Sequence, residues 1–219
     1  RLELRDDMRL YCDGMPTEAG NREAVLRATC AESAAVGFKE FRQMGREGRK
    51  ALARGMKAVY IYHDVIDLAG EGGGRVWDAC EAAMDEILQM VSILVKELSA
   101  AQVLITADHG FLYTRLPLPE YEKADRDAVC GETLEYKRRY AVAREAQPDA
   151  RLISMPLTML GRPELFGVFP GVNMRFRVQG GSGGYVHGGL SPQEMMTPLI
   201  RYQNKKAGQK GFRAISKAD

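Results

Sequence analysis

Three histidines occur in 219 residues, and each falls where a chain could gather reactive side chains. His63 follows a short apolar run and opens His63-Asp64-Val65-Ile66-Asp67. His109 closes another in Thr106-Ala107-Asp108-His109-Gly110. His187 sits among glycines in Gly183-Gly184-Tyr185-Val186-His187-Gly188-Gly189. Neutral imidazoles and carboxylates are the usual ligands of Zn²⁺, and carboxylates also suit Mn²⁺ or Mg²⁺. In a continuing strand Asp108 and His109 would face opposite ways, but at a turn both can converge on one ion or serve two. The four-residue step from His63 to Asp67 would put both on one face of a helical turn. Each histidine alone reads as a hydrogen-bonded structural residue, since polar turn residues are common at strand ends. All three lying in acid- or glycine-flanked loops brings a metal site level with that reading.

Loops of this kind need rigid elements behind them. Residues 58–62 and 102–106 are short, apolar and rich in β-branched side chains, as central parallel strands are. Between them a glycine-rich loop, 70–74, leads into an amphipathic helix over 76–100, with Cys80, Met84, Ile87, Val91, Leu94 and Leu98 on its predicted buried stripe. This β-α-β order predicts an α/β fold, a mostly parallel sheet flanked by helices, with a right-handed crossover. The ligand crevice of such a sheet lies beyond the carboxyl ends of its strands, which predicts a shared rim for His63 and His109. Elsewhere the patterning predicts a strand over 2–11 ending in a turn, helices over 21–35, 38–54 and 132–146, and strands over 151–160 and 172–178. Ser191-Pro192-Gln193-Glu194 reads as a helix start with Ser as N-cap, Pro at N1 and Glu at N3. Three regions follow: a strand-turn and helical subregion at 1–56, an α/β core with the ligand motifs at 57–203, and a basic tail at 204–219.

Composition excludes several classes. With 45% hydrophobic and 27% charged residues the chain can bury a core. Lys+Arg at 31 against Asp+Glu at 29 leaves +2, so any polyanion contact must be local. Arg42, Arg46, Lys50, Arg54 and Lys57 would form a stripe on one continuous helix, either a solvated face or a contact to a nucleic-acid backbone. Lys205, Lys206, Lys210, Arg213 and Lys217 give the last segment its basic character, as a mobile tail or the start of a further segment. Asp78, Glu81, Asp85, Glu86, Lys96 and Glu97 interrupt the longest nearly apolar stretch too often for a membrane span. Cys12, Cys30, Cys80 and Cys130 include no C-x-x-C pair and suit reduced thiols in a cytoplasm. An opening at Arg1 with no initiator Met reads as a piece of something longer.

The combination of Val59-Tyr60-Ile61-Tyr62-His63-Asp64-Val65-Ile66-Asp67, Leu104-Ile105-Thr106-Ala107-Asp108-His109-Gly110-Phe111-Leu112-Tyr113 and His187-Gly188-Gly189-Leu190-Ser191-Pro192-Gln193-Glu194 resembles the PglZ family of BREX bacteriophage-defence systems, in the alkaline phosphatase superfamily. The motifs stand in the family's order. The resemblance also takes in Tyr11-Cys12-Asp13-Gly14 and Asn21-Arg22.

That resemblance implies an alkaline-phosphatase-like domain with a site for up to two divalent ions, Zn²⁺ first and Mn²⁺ or Mg²⁺ as alternatives, acting on phosphoesters and on nucleic acid in the full-length protein. It carries Asp108, His109 and His187 over as ligands directly. The superfamily's other pair is an Asp followed four residues later by a His. Here the order is His63 then Asp67, which leaves the individual assignments open, with Asp64 a weaker candidate. The superfamily's strand-end Asp and Thr or Ser nucleophile have no match before Lys57. Neither Thr17 nor Ser33 follows a suitable strand, so the fold is expected to be incomplete on its N-terminal side, the nucleophile upstream and the chain alone inactive. Other BREX proteins and DNA are the implied partners. A non-catalytic scaffold of the defence complex is the alternative, and a sulfatase or phosphomutase relative a third.

Overall fold

The computed structural model describes residues 1–179 and 184–205. Residues 206–219, most of the expected basic tail, and Gly183 of the glycine cluster lie outside them. In chain order the elements are β1 (Leu2–Leu4), β2 (Leu10–Cys12), β3 (Met15–Pro16), α1 (Arg22–Thr29), β4 (Ser33–Gly37), α2 (Phe38–Gln43), α3 (Arg46–Ala53), β5 (Ala58–Tyr62), α4 (Val65–Glu71), α5 (Val76–Leu98) and β6 (Gln102–Thr106). They continue with β7 (Leu112–Tyr113), β8 (Lys123–Ala124), β9 (Thr133–Tyr136), β10 (Ala141–Ala143), β11 (Leu152–Leu157), β12 (Arg162–Pro170), β13 (Arg175–Phe176), β14 (Tyr185–Val186), α6 (Pro192–Met195) and β15 (Leu199–Gln203).

The fold is α/β, with the expected strands at 58–62 and 102–106 and the long helix between them, but its sheets are mostly antiparallel. β5 pairs in parallel with β4, and β6 pairs antiparallel with β15 along five residues. Among the described residues β5 and β6 belong to separate two-stranded sheets, so the predicted single parallel sheet is not formed. Both partners escaped the patterning. Ser33–Gly37 is Ala-rich and reads as the end of a helix, yet α1 stops at Thr29, and Ala34 and Val36 are buried against their neighbours. Tertiary pairing overrides the helix preference of alanine there. The predicted helix over 132–146 is instead the antiparallel β9–β10 pair of a four-stranded sheet ordered β11-β12-β10-β9. Ala141, Val142 and Ala143 are all buried, and only burial on both faces distinguishes that run from a helical one.

The predicted helix over 38–54 is two helices. Met44 and Gly45 are extended between α2 and α3, and Phe38 and Phe41, three residues apart on one face of α2, both reach the core. With Val36 and Met90 they form one cluster, against which Val59, Ile61 and Leu94 pack. This cluster and the β4–β5 ladder run across residue 56, so the segment before it packs with the one after. A second cluster, with Ala141, Ala143, Leu152, Val168 and Phe176, fills the antiparallel sheet. On α5 the most buried face is Val76, Ala79, Ala83, Met90 and Val91. Met84, placed on the predicted stripe, is exposed. The four cysteines are free thiols. Among the described residues no helix is long and apolar enough to cross a membrane.

Candidate metal centre

Two loops and one helix bring four predicted ligands together. The turn after β6 carries Asp108 and His109, the loop after β14 carries His187, and α4 carries Asp67. The imidazoles of His109 and His187 stack with centroids 4.2 Å apart. His109 Nε2 lies 4.0 Å from Asp67 Oδ2 and 3.9 Å from Asp108 Oδ1, and His187 Nε2 lies 3.7 Å from Glu71 Oε1. His109 Nδ1 is 3.0 Å from the carbonyl oxygen of Gly110. A proton on Nδ1 donates to that carbonyl and leaves Nε2 as the lone-pair nitrogen facing both carboxylates, the arrangement that orients a ligating histidine.

Asp67 is held by its other oxygen. The Tyr185 hydroxyl donates to Asp67 Oδ1, so Oδ2 remains toward His109. Burial, reinforced by that hydrogen bond, raises the Tyr185 phenol well above its ordinary value, so it stays a protonated donor. Its ring lies flat on α4, where a Cβ built on Gly70 would fall 2.4 Å from Tyr185 Cγ. Only glycine admits that approach.

The two ligand loops are joined by Glu194, the third residue of α6. Its backbone carbonyl accepts the Gly110 N–H at 2.8 Å. Its carboxylate accepts Gly189 N–H at 3.0 Å, Ser191 Oγ–H at 2.6 Å and Ser191 N–H at 3.3 Å, the last closing the capping box that the sequence predicts. Arg139, from the β9–β10 turn, grips the same carboxylate through Nε and Nη2 at 2.9 and 2.7 Å, both side chains being essentially out of solvent. Burial alone would raise Glu194; hydrogen bonds from Arg139 and Ser191 outweigh it and hold the carboxyl below its ordinary value. Gly110 and Gly189 permit the packing: a Cβ at Gly110 would meet the Gln193 carbonyl at 2.1 Å, and one at Gly189 would meet Arg139 Nε and Glu194 Oε2 at 2.6 Å.

His63 is not brought to this cluster. α4 begins at Val65, after His63, so the helical four-residue step from His63 to Asp67 does not exist. The ring packs on Phe38 and its Nε2 lies 2.8 Å from Glu86 Oε2 on α5. Asp64 occupies the N-cap position of α4, exposed and without a capping side-chain bond. The predicted basic stripe is also not assembled, because the break at Met44 and Gly45 interrupts it. Arg42 pairs with Glu86, Lys50 with Glu47 and Lys57 with Glu32, leaving Arg46 and Arg54 on separate turns of α3 and its end.

A family model for the BREX system PglZ alkaline phosphatase-like domain matches residues 2–202. The chain belongs to the PglZ family. The alkaline phosphatase-like protein PglZ of Bacillus cereus (strain H3081.97) is 32% identical over 193 residues, which cover 85% of this chain and 22% of that protein. The alkaline phosphatase-like protein BrxZ of Escherichia coli O9:H4 (strain HS) is 25% identical over 211 residues, 92% of this chain and 24% of that protein. This PglZ-family chain therefore spans less than a quarter of the length of these curated relatives.

The donor set of the PglZ-family chain suits a divalent ion in kind: two imidazoles, with hard carboxylates on either side. Its spacing is looser than a closed site. Donors in a tetrahedral shell around zinc stand roughly 3.4 Å apart, whereas the separations here are 3.7–4.0 Å. Among the described residues no three His, Cys, Asp or Glu groups close around a single point. The Asp108 side chain is 83% exposed, with its Oδ1 accepting the His109 N–H at 3.1 Å. Sequence reasoning missed Glu71, Tyr185, Glu194 as a tether, and Arg139. Glu71 was within reach, being four residues beyond Asp67 on the same helix, and Tyr185 stands two before His187. Arg139 carried no signal, since its partner lies 55 residues away.

Proposed function

We propose that this PglZ-family chain supplies the metal-ligand part of a phosphoester-hydrolysing site in a BREX defence protein, acting in the cytoplasm with other BREX proteins and on nucleic acid. The observation that carries this reading is the His109 ring, pinned through Nδ1 to the Gly110 carbonyl with Nε2 facing Asp67 and Asp108. His109, Asp108 and Asp67 would hold one ion, and His187 with Glu71 a second or a shared one; zinc suits the imidazoles best. A bound divalent ion there would neutralise phosphoryl oxygens and acidify a coordinated hydroxyl. The chain's own residues orient. Tyr185 fixes Asp67, Gly110 fixes His109, and Glu194 with Arg139 holds the two histidine-bearing loops in register. The nucleophile is assigned to sequence outside this chain.

A second reading, a scaffold without hydrolytic function, is favoured by the open spacing of the donors. Hydrolysis of an aryl phosphate ester by the full-length protein, lost in His109→Ala and on chelation, separates the two. A full-length protein that is silent with every divalent ion supports the scaffold.

A further inference from the structure

Among the described residues two arginines are buried, and their surroundings differ. Arg139 donates from Nε and Nη2 to Glu194, from Nη1 to the Met174 carbonyl and with the second Nη2 hydrogen to the Val172 carbonyl. Arg175, at the start of β13, is 5% exposed and has no carboxylate within ion-pair distance among the described residues. Its Nη2 donates to Thr114 Oγ1 at 3.0 Å and to the Gly184 carbonyl at 3.2 Å, while its Nε is buried with no hydrogen-bond partner among the described residues. Burial, with Arg139 and Arg138 nearby, pushes its pKa down to about 10. Among the described residues two buried guanidiniums thus stand against one buried carboxylate, Glu194, which pairs with Arg139 alone, an excess of positive charge that buried charges ordinarily avoid.

Thr114 and Gly184 are also walls of a cleft of about 220 Å³, bounded by Gly70, Gly74 and Tyr185 and carrying Arg115. The Thr114 oxygen accepts from Arg175, which leaves its own proton for a second partner. Arg115 is exposed and lies within ion-pair distance of no carboxylate among the described residues. We infer that this cleft is an oxyanion site for a phosphate group, met by the Thr114 hydroxyl and the Arg115 guanidinium and balanced from behind by the charge of Arg175.

The site adjoins the candidate metal centre without sharing its ligands. Tyr185 lines the cleft on one side and holds Asp67 with its hydroxyl. A phosphodiester chain with one phosphate at the metal centre would offer a neighbouring phosphate to this cleft. That extension rests on the proposed function; the oxyanion site does not.

The test is calorimetric titration of inorganic phosphate into this chain in EDTA and low salt, which removes any contribution from metal. One phosphate per chain is expected, weakened at least about tenfold in Thr114→Val and in Arg115→Ala and unchanged in His109→Ala. Arg175→Met can unfold the chain, so the two cleft variants decide. Absence of saturable binding, or binding that either cleft variant leaves intact, overturns the inference. A 5′-phosphorylated thymidine dinucleotide identifies the source: tighter binding than inorganic phosphate assigns the cleft to a nucleotide chain, and equal binding assigns it to free phosphate. Loss of metal binding in a separate assay bears on the proposed function alone.

Discussion

The imidazole rings of His109 and His187 lie face to face, 4.2 Å between centroids and 3° from parallel. Parallel rings aim their nitrogen lone pairs side by side rather than at a common point. The pair therefore suits two neighbouring ions, or one ion after a ring has turned. Glu71 stands by the second ring and Asp67 and Asp108 by the first, so each imidazole has carboxylate oxygen beside it.

His63 is predicted to be structural. His63→Ala removes the partner of Glu86 and the ring against Phe38, while Arg42 still holds the other oxygen of Glu86. Loss of one part-buried hydrogen bond and its packing costs about 1–3 kcal/mol. Zinc affinity, measured by competition with a chromophoric chelator, stays within about twofold of wild type, because His63 stands apart from the cluster.

Glu194 is predicted to matter far more for stability. Glu194→Ala leaves Arg139 charged and buried and frees Gly189 and Ser191 from their acceptor. Breaking one side of a buried pair costs about 3–5 kcal/mol, so the melting temperature falls by on the order of 10 °C. Replacing both partners, Glu194→Leu with Arg139→Met, recovers part of the loss. A double variant no more stable than Glu194→Ala contradicts this assignment.

The same carboxylate sets an acid dependence. Its folded pKa lies below the ordinary 4.5, so the folded state binds this proton less readily than the unfolded one. The stability it contributes is complete above pH 4.5 and is lost as pH falls through the folded value. Urea unfolding in that acid range is predicted to show a shallower slope of stability against pH for Glu194→Gln than for wild type.

Two glycines give an opposed pair of outcomes. Gly110→Ala drives a Cβ into the Gln193 carbonyl and pushes α6 off the Asp108 and His109 turn, at a cost of about 1–3 kcal/mol. Gly48 lies inside α3, where a Cβ would make only ordinary contact with Met44. Gly48→Ala gains about 0.5–1 kcal/mol of stability from helix preference. Thermal unfolding of the two variants distinguishes close approach from mere flexibility.

Local features were legible in the sequence. The capping box at Ser191 and Glu194 needs only four neighbouring residues, and the turns bearing Asp108, His109 and His187 need only a short strand and glycines. Pairings made at long range were not legible. Ser33–Gly37 became a strand because β5 accepts it, and Leu199–Gln203 because β6 does. His63 and Asp67 share a four-residue spacing that has meaning only inside a helix, and α4 begins between them. Arg139 and Arg175 differ from the other cations among the described residues in burial, which no spacing along the sequence reports.

The proposed metal centre has Asp108, His109 and Asp67 around one divalent ion and His187 with Glu71 around a second or a shared one. Zinc titration of this chain followed by isothermal calorimetry at neutral pH tests it most directly, with Asp108→Ala, His109→Ala and His187→Ala alongside. At least one zinc per chain is expected, with affinity lower by at least about tenfold in each variant. Less than one zinc per chain, or affinity unchanged in all three variants, contradicts it.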